Sequence, residues 1–299
     1  MEKGDRSKNG GRLLSLDLIR SLAIILVILF HFLYEIYMSH ALRPIGYVGL
    51  SLFFILSGYL LTIKYPELKG FSLKWLVVRL VKLCSVYYLA LISILVLFGA
   101  QTHSGNILDV FLTFVFLNPL SLSAEYIIIS PAWFLTPLVG LYILYPYLNK
   151  YISKNNFFLA VIFVFTVAFR MYVGEWTSYS PLFFLADFCF GIAFARDRKL
   201  FPLLFSLVFL AIDPIVVLPF FLFYLMYRID NKYIPGKVVR FVGANTIILF
   251  LLHEAFIKVF LDKWGIFGLG KIYAILILIL VSVGIYFLSR KIQKYLLRK

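Results

Sequence analysis

The chain has 299 residues, 63% of them hydrophobic and only 14% charged, with a mean hydropathy of +0.96. Soluble domains are roughly half apolar and about a quarter charged, so the composition excludes a soluble enzyme and points to a polytopic membrane protein. The net charge of +15 does not gather into one stripe on a soluble face; this argues against a nucleic-acid partner and fits cytoplasmic loops rich in Lys and Arg, with room for an anionic ligand.

Eleven apolar stretches follow in chain order: 13–37, 46–63, 75–99, 107–122, 131–149, 157–173, 181–195, 200–212, 214–228, 240–261 and 268–290. The first is longer than a signal-peptide core and lacks a small-residue cleavage site, so it reads as a retained helix. Lys3, Arg6, Lys8 and Arg12 precede it; Arg290, Lys291, Lys294, Arg298 and Lys299 close the chain. This bias predicts two cytoplasmic termini and an even number of crossings. Stretch 107–122 is short, starts near Asp109 and breaks at Asn118-Pro119, so it is the segment expected not to span. The expected fold is an all-α polytopic membrane protein of about ten transmembrane helices. Residues 1–12 form a cytoplasmic tail, 13–290 a single membrane domain and 291–299 a basic cytoplasmic tail, in a multi-pass protein of the cell membrane. Stretches 200–212 and 214–228 are short for a bilayer core of about 30 Å. Asp213-Pro214 suits a tight turn between them, unless the two form one broken helix. Cys84 and Cys189 lie in apolar runs and read as free thiols.

The first stretch holds an oddity. LDLIRSLAIILVILFHFLYEIY, Leu16 to Tyr37, contains Asp17, Arg20, His31 and Glu35. A charge at the bilayer centre costs about 2.5–3.5 kcal/mol even on insertion scales. Arg20 and His31 are eleven residues apart, which on a helix is three turns plus about 20° and roughly 16 Å of rise. Asp17 at i−3 and Glu35 at i+4 fall on the same side. One polar stripe therefore runs along an apolar helix, and such stripes face a bundle interior or a wet cavity. Asp17–Arg20 is also what a structural ion pair near the interface looks like, and Glu35 is close enough to the outer end to be solvated. Functionally, His31 with Glu35 is a base with an orienting carboxylate, and Arg20 can hold a phosphate by paired hydrogen bonds. The expectation is one continuous wet channel joining the two groups.

Other stretches carry a family likeness. Arg-x10-His behind Leu-Asp-x-x-Arg, then GYVGLSLFFILSGYLLT (Gly46 to Thr62), WLVVRLVKL (Trp75 to Leu83), AWFLTPLVGLYILYP (Ala132 to Pro146) and FVGANTIILFLLHEAF (Phe241 to Phe256) together resemble the integral-membrane acyltransferase family 3. The likeness covers nearly the whole chain. Leu138 stands where many members carry a glutamate, the third helix lacks the usual proline after its basic pair, and Gly243-Ala244-Asn245-Thr246 replaces a Gly-x-x-Ser pattern. The resemblance implies transfer of an acetyl or other short acyl group from cytoplasmic acyl-CoA to a hydroxyl of a carbohydrate or glycolipid, without a metal. CoA would then dock on Lys74, Arg79 and Lys82 with Arg20 deeper in. His31 and Glu35 would be catalytic, by general base action or through a transient acyl-histidine. Ser57, Trp133, Asn245 and His253 are candidates for oxyanion or acceptor positioning, and Asp17 for a structural role. Simpler roles compete: Trp133 as an interface anchor, Ser57-Gly58 as a close helix contact, His253 as a core histidine. Arg170 and Asp187 are intramembrane charges that could pair. The same stripe would also serve a transporter or flippase of a glycan or lipid-linked precursor, with His31 and Glu35 as a proton relay.

Overall fold

The computed structural model describes residues 14–68, 70–98, 111–112, 114–115, 130–152, 155–173, 180–233, 236–261 and 269–297. Among the described residues every regular element is helical: α1 (Leu14–Tyr37), α2 (Arg43–Lys64), α3 (Leu73–Phe98), α4 (Leu135–Ile152), α5 (Asn156–Val173), α6 (Leu185–Ala195), α7 (Leu200–Phe205), α8 (Pro214–Arg228), α9 (Gly236–Phe260) and α10 (Leu269–Leu296). Hydrocarbon dictates this, because a helix satisfies its backbone N–H and C=O groups within the segment.

Among the described residues, seven helices are long and apolar enough to cross a bilayer, namely α1 to α5, α9 and α10. The stretches 181–195, 200–212 and 214–228 yield shorter helices. α6 has 11 residues, α8 has 15, and α7 continues as a 3-10 turn over Ser206–Ala211; a straight crossing asks for about 20. The tight turn at Asp213-Pro214 is present. Asp213 Oδ1 accepts from the Ile215 N–H at 2.7 Å, Pro214 takes the first helical position, and α8 packs back on the 3-10 segment. Stretch 107–122 lies almost entirely outside the described residues. α10 runs to Leu296, so the chain beyond residue 290 begins as helix and not as a tail.

α1, α2, α6 and α9 form the centre of the bundle. α2 packs against both α1 and α6, and α1 packs along α9. Apart from Asp187, α6 is apolar all round and buried from Leu185 to Phe194, as such a helix must be. Its crossing with α2 is a backbone contact. A Cβ on Gly58 would collide with the Phe188 carbonyl, and one on Gly191 with the Ile55 carbonyl, so only glycine fits on either side. Gly243 of α9 likewise abuts Asp17 of α1, where a Cβ would stand 3.1 Å from the Asp17 Cα. Arg170 and Asp187 do pair: Arg170 Nη2 meets Asp187 Oδ2 at 2.5 Å. The remaining guanidinium donors go to Phe183 O and the Tyr47 hydroxyl, which satisfies the buried charge. α10 packs mainly on α3 and α9 and leaves Leu280, Val283, Phe287 and Leu288 exposed on its outer face, as a lipid-facing helix does.

Candidate active site

Two polar regions sit at opposite ends of α1. Arg20 is six residues from its start and His31 six from its finish, so each lies about 9 Å in from its own end.

At the Arg20 end lies a cavity of about 470 Å³. Arg20 (α1), Ser57 (α2), Arg79 and Lys82 (α3), Tyr142 (α4), Thr246 (α9) and Arg290 (α10) reach it. Their heights agree. Ser57 is seven residues from the end of α2, Arg79 six from the start of α3 and Arg290 six from the end of α10. Asp17, fully buried, holds Arg20 Nη1 at 3.1 Å. The Arg79 guanidinium lies 4.8 Å from the Tyr65 ring centroid, and its Nε is buried without a hydrogen-bond partner. Lys82 stands in the field of Arg79 and Lys64. Tyr142 and Ser57 both line the cavity beside Arg79 and Arg20. Among the described residues no Asp or Glu lines the cavity. A cluster of cations in a low-dielectric cleft is a site for a polyanion.

At the other end His31 meets His253 of α9, their ring centroids 4.7 Å apart in an edge-on arrangement. His31 Nδ1 lies 2.9 Å from Val27 O, and His253 Nδ1 lies 2.7 Å from Phe250 O. A carbonyl only accepts, so both Nδ1 atoms carry the hydrogen and both Nε2 atoms present a lone pair. The Nε2 of His253 is buried and makes no hydrogen bond. Two helices thus bring two imidazoles into contact. Glu254, Glu35 and Lys258 all lie within electrostatic reach of His31; Lys258 holds Glu254 Oε1 at 2.7 Å.

Several sequence-based placements change. The continuous wet channel from Arg20 to His31 is interrupted. The cavity that holds Arg20 is lined in part by Phe53, Phe134 and Phe250 and by neither histidine, with Phe250 4.2 Å from Phe134 and 6.0 Å from Phe53, centroid to centroid. Beyond it His253 packs on Phe250 at 5.7 Å. The His31 tautomer is held by Val27 O and not by Glu35, because a helical His reaches its own i−4 carbonyl first. Lys74 is exposed on the first turn of α3 and Arg79 and Lys82 line the cavity without it. Trp133 precedes Phe134 and packs on the core, and Phe134 is the one that reaches the cavity. The Asn245 amide folds back on its own helix, donating to Phe241 O at 2.8 Å, while Ala244 and Thr246 face the cavity. Ser57 stands at the level of Arg20, away from the histidines. Tyr142, Glu254, Arg290 and Gln293 escaped the sequence argument. For the last two a signal existed: Tyr286, Ser289, Arg290 and Gln293 repeat at helical spacing on an otherwise apolar segment.

Comparison with known proteins gives one finding on this arrangement. No curated protein and no solved structure matches the chain. A family of acyltransferase domains matches residues 13–212, a span that includes α1 with both of its polar groups, the α2 and α3 walls of the cavity, and the buried Arg170–Asp187 pair. The chain therefore belongs to the acyltransferase 3 family, and the apolar bundle carrying these two sites is a multi-pass membrane acyltransferase.

Proposed function

We propose that the enzyme takes an acetyl or other short acyl group from acyl-CoA on the cytoplasmic side and places it on a hydroxyl of a carbohydrate or glycolipid. In this reading ten segments cross the cell membrane, with both termini cytoplasmic. The observation that carries it is the division of α1: a guanidinium in a cation-lined cavity at one end and an imidazole in a base pair at the other. The cavity suits the phosphates of CoA, since guanidinium groups bind phosphate through paired hydrogen bonds. The acyl-pantetheine arm is slim and mostly apolar. It would pass between Phe53, Phe134 and Phe250, whose rings must part to let it reach the histidines.

There His31 Nε2 accepts the proton of the acceptor hydroxyl as the oxygen attacks the thioester carbonyl. The tetrahedral intermediate collapses, the carbon–sulfur bond breaks, and the imidazolium returns its proton to the departing CoA sulfur. His253 shares the site and Glu254, with Glu35, stabilises the imidazolium while it exists. Hydrogen-bond donors for the oxyanion would have to come from the level of the histidines and not from Ser57.

The test is donor turnover by the purified protein in detergent with radiolabelled acetyl-CoA and a membrane glycan extract, products identified by mass spectrometry. His31→Ala should lower transfer by about 10²–10⁴-fold, the range for loss of a general base, with CoA affinity little changed. Arg20→Ala should chiefly weaken CoA binding. A wild-type protein that binds no CoA by calorimetry would refute the donor assignment and favour a transport role for the same stripe.

A further inference from the structure

Resting on the donor reading, we propose that α10 completes the donor site, and that Arg290 reads the ribose monophosphate that distinguishes CoA from its dephospho form. α10 lies outside the residues matched by the family, which end at 212, so nothing in that match assigns it a role.

α10 is mostly a lipid-facing helix, yet one face is not. Tyr286, Ser289, Arg290 and Gln293 all line the cavity, at the i, i+3, i+4, i+7 spacing of a single stripe. The stripe is pinned. Gln293 Nε2 donates to Ser85 Oγ at 2.8 Å and to Lys82 O at 3.3 Å, which ties α10 to the helix that supplies Arg79 and Lys82. The Arg290 guanidinium lies 4.3 Å from the Tyr286 ring centroid, so the fork is held flat and its edge is left to ligands.

The charges then sort by pairing and exposure. Arg20 is compensated by Asp17. Among the described residues no carboxylate pairs with Arg79, Lys82 or Arg290. Arg79 keeps a buried Nε without a hydrogen-bond partner, whereas Arg290 is exposed. CoA has two phosphate positions: a pyrophosphate next to the pantetheine arm and a monophosphate on the ribose, farther from the thioester. The thioester must point toward Phe250 and the histidines. The pyrophosphate therefore meets the more buried Arg79, Lys82 and Arg20, and the ribose monophosphate meets the exposed cation, Arg290.

Calorimetry on the full-length protein in detergent, with CoA and with 3′-dephospho-CoA, tests this. The wild type should prefer CoA by about tenfold or more, a usual size for one charge-assisted phosphate contact. Arg290→Gln should lose that preference and bind the two ligands alike. Arg290→Lys, with a charge but no fork, should retain part of it. Arg79→Gln should weaken both ligands and keep the preference. An Arg290→Gln protein that still prefers CoA as the wild type does overturns the assignment while leaving the donor reading intact. A wild type that binds neither ligand overturns both.

Discussion

His31 and His253 come from helices far apart in sequence and meet edge to edge, so the pair should behave as a unit. Groups that act on one proton are strongly non-additive when removed. His253→Ala should lower kcat by about 10–100-fold with a small change in KM, and the His31→Ala/His253→Ala double variant should be no slower than His31→Ala alone. Steady-state kinetics on the three proteins decides it; independent, multiplying losses would mean that His253 is a packing residue. Arg170 belongs to a different class. Its guanidinium is spent on Asp187, Phe183 O and Tyr47, so Arg170→Ala strands a buried carboxylate and should cost about 3–5 kcal/mol. The readout is the thermal midpoint in detergent; an unchanged midpoint would deny the pair its structural role. The sequence exposed Arg20 and His31 because their relation is local: eleven positions on one helix are legible from periodicity alone. It hid Glu254 and the true neighbour of His31, since which face of α9 meets α1 is set by packing, at Gly243 against Asp17. Arg290 was hidden differently, because a basic residue near a terminus looks like a topological signal until the helix is seen to continue past it.

Between elements, the Ser57-Gly58 dipeptide divides two readings between neighbouring residues. Gly58 faces α6 and abuts the Phe188 carbonyl, while Ser57 faces the cavity, which Tyr142 also lines. Gly58→Leu should force α2 and α6 apart and lower stability by about 1–3 kcal/mol or more, the usual cost of overpacking. Ser57→Ala should leave the thermal midpoint nearly untouched and weaken donor binding several-fold. Thermal denaturation beside calorimetry separates them, and a Ser57→Ala protein that unfolds early but binds CoA normally would reverse the assignment. Hydropathy recovered the long helices well, because an uninterrupted apolar run of membrane length has few alternatives. It fared less well on α6. Residues 181–184 form a turn and not helix, and an element buried on every side carries no amphipathic period from which to read its ends.

Across the whole molecule, the two sites are kept apart by three rings, and that separation has a chemical consequence. In the proposed reaction a thioester open to water at the histidine pair would be hydrolysed, since a base able to activate an acceptor hydroxyl would activate water equally well. Phe53, Phe134 and Phe250 line the cavity, which neither histidine reaches, and Phe250 touches both sites, lining one and packing on His253 of the other. Replacing it should uncouple the reaction. Phe250→Leu keeps most of the apolar volume, and Phe250→Ala opens the barrier at a stability cost of about 3–5 kcal/mol. Acceptor-free release of free CoA thiol from acetyl-CoA, followed with a thiol reagent, should rise several-fold in the leucine variant and further in the alanine variant. Transfer to acceptor, per acetyl-CoA consumed, should fall in the same order. If the barrier were only packing, both variants would lose transfer and hydrolysis together in proportion to the folded protein remaining, and the ratio of the two would stay at its wild-type value.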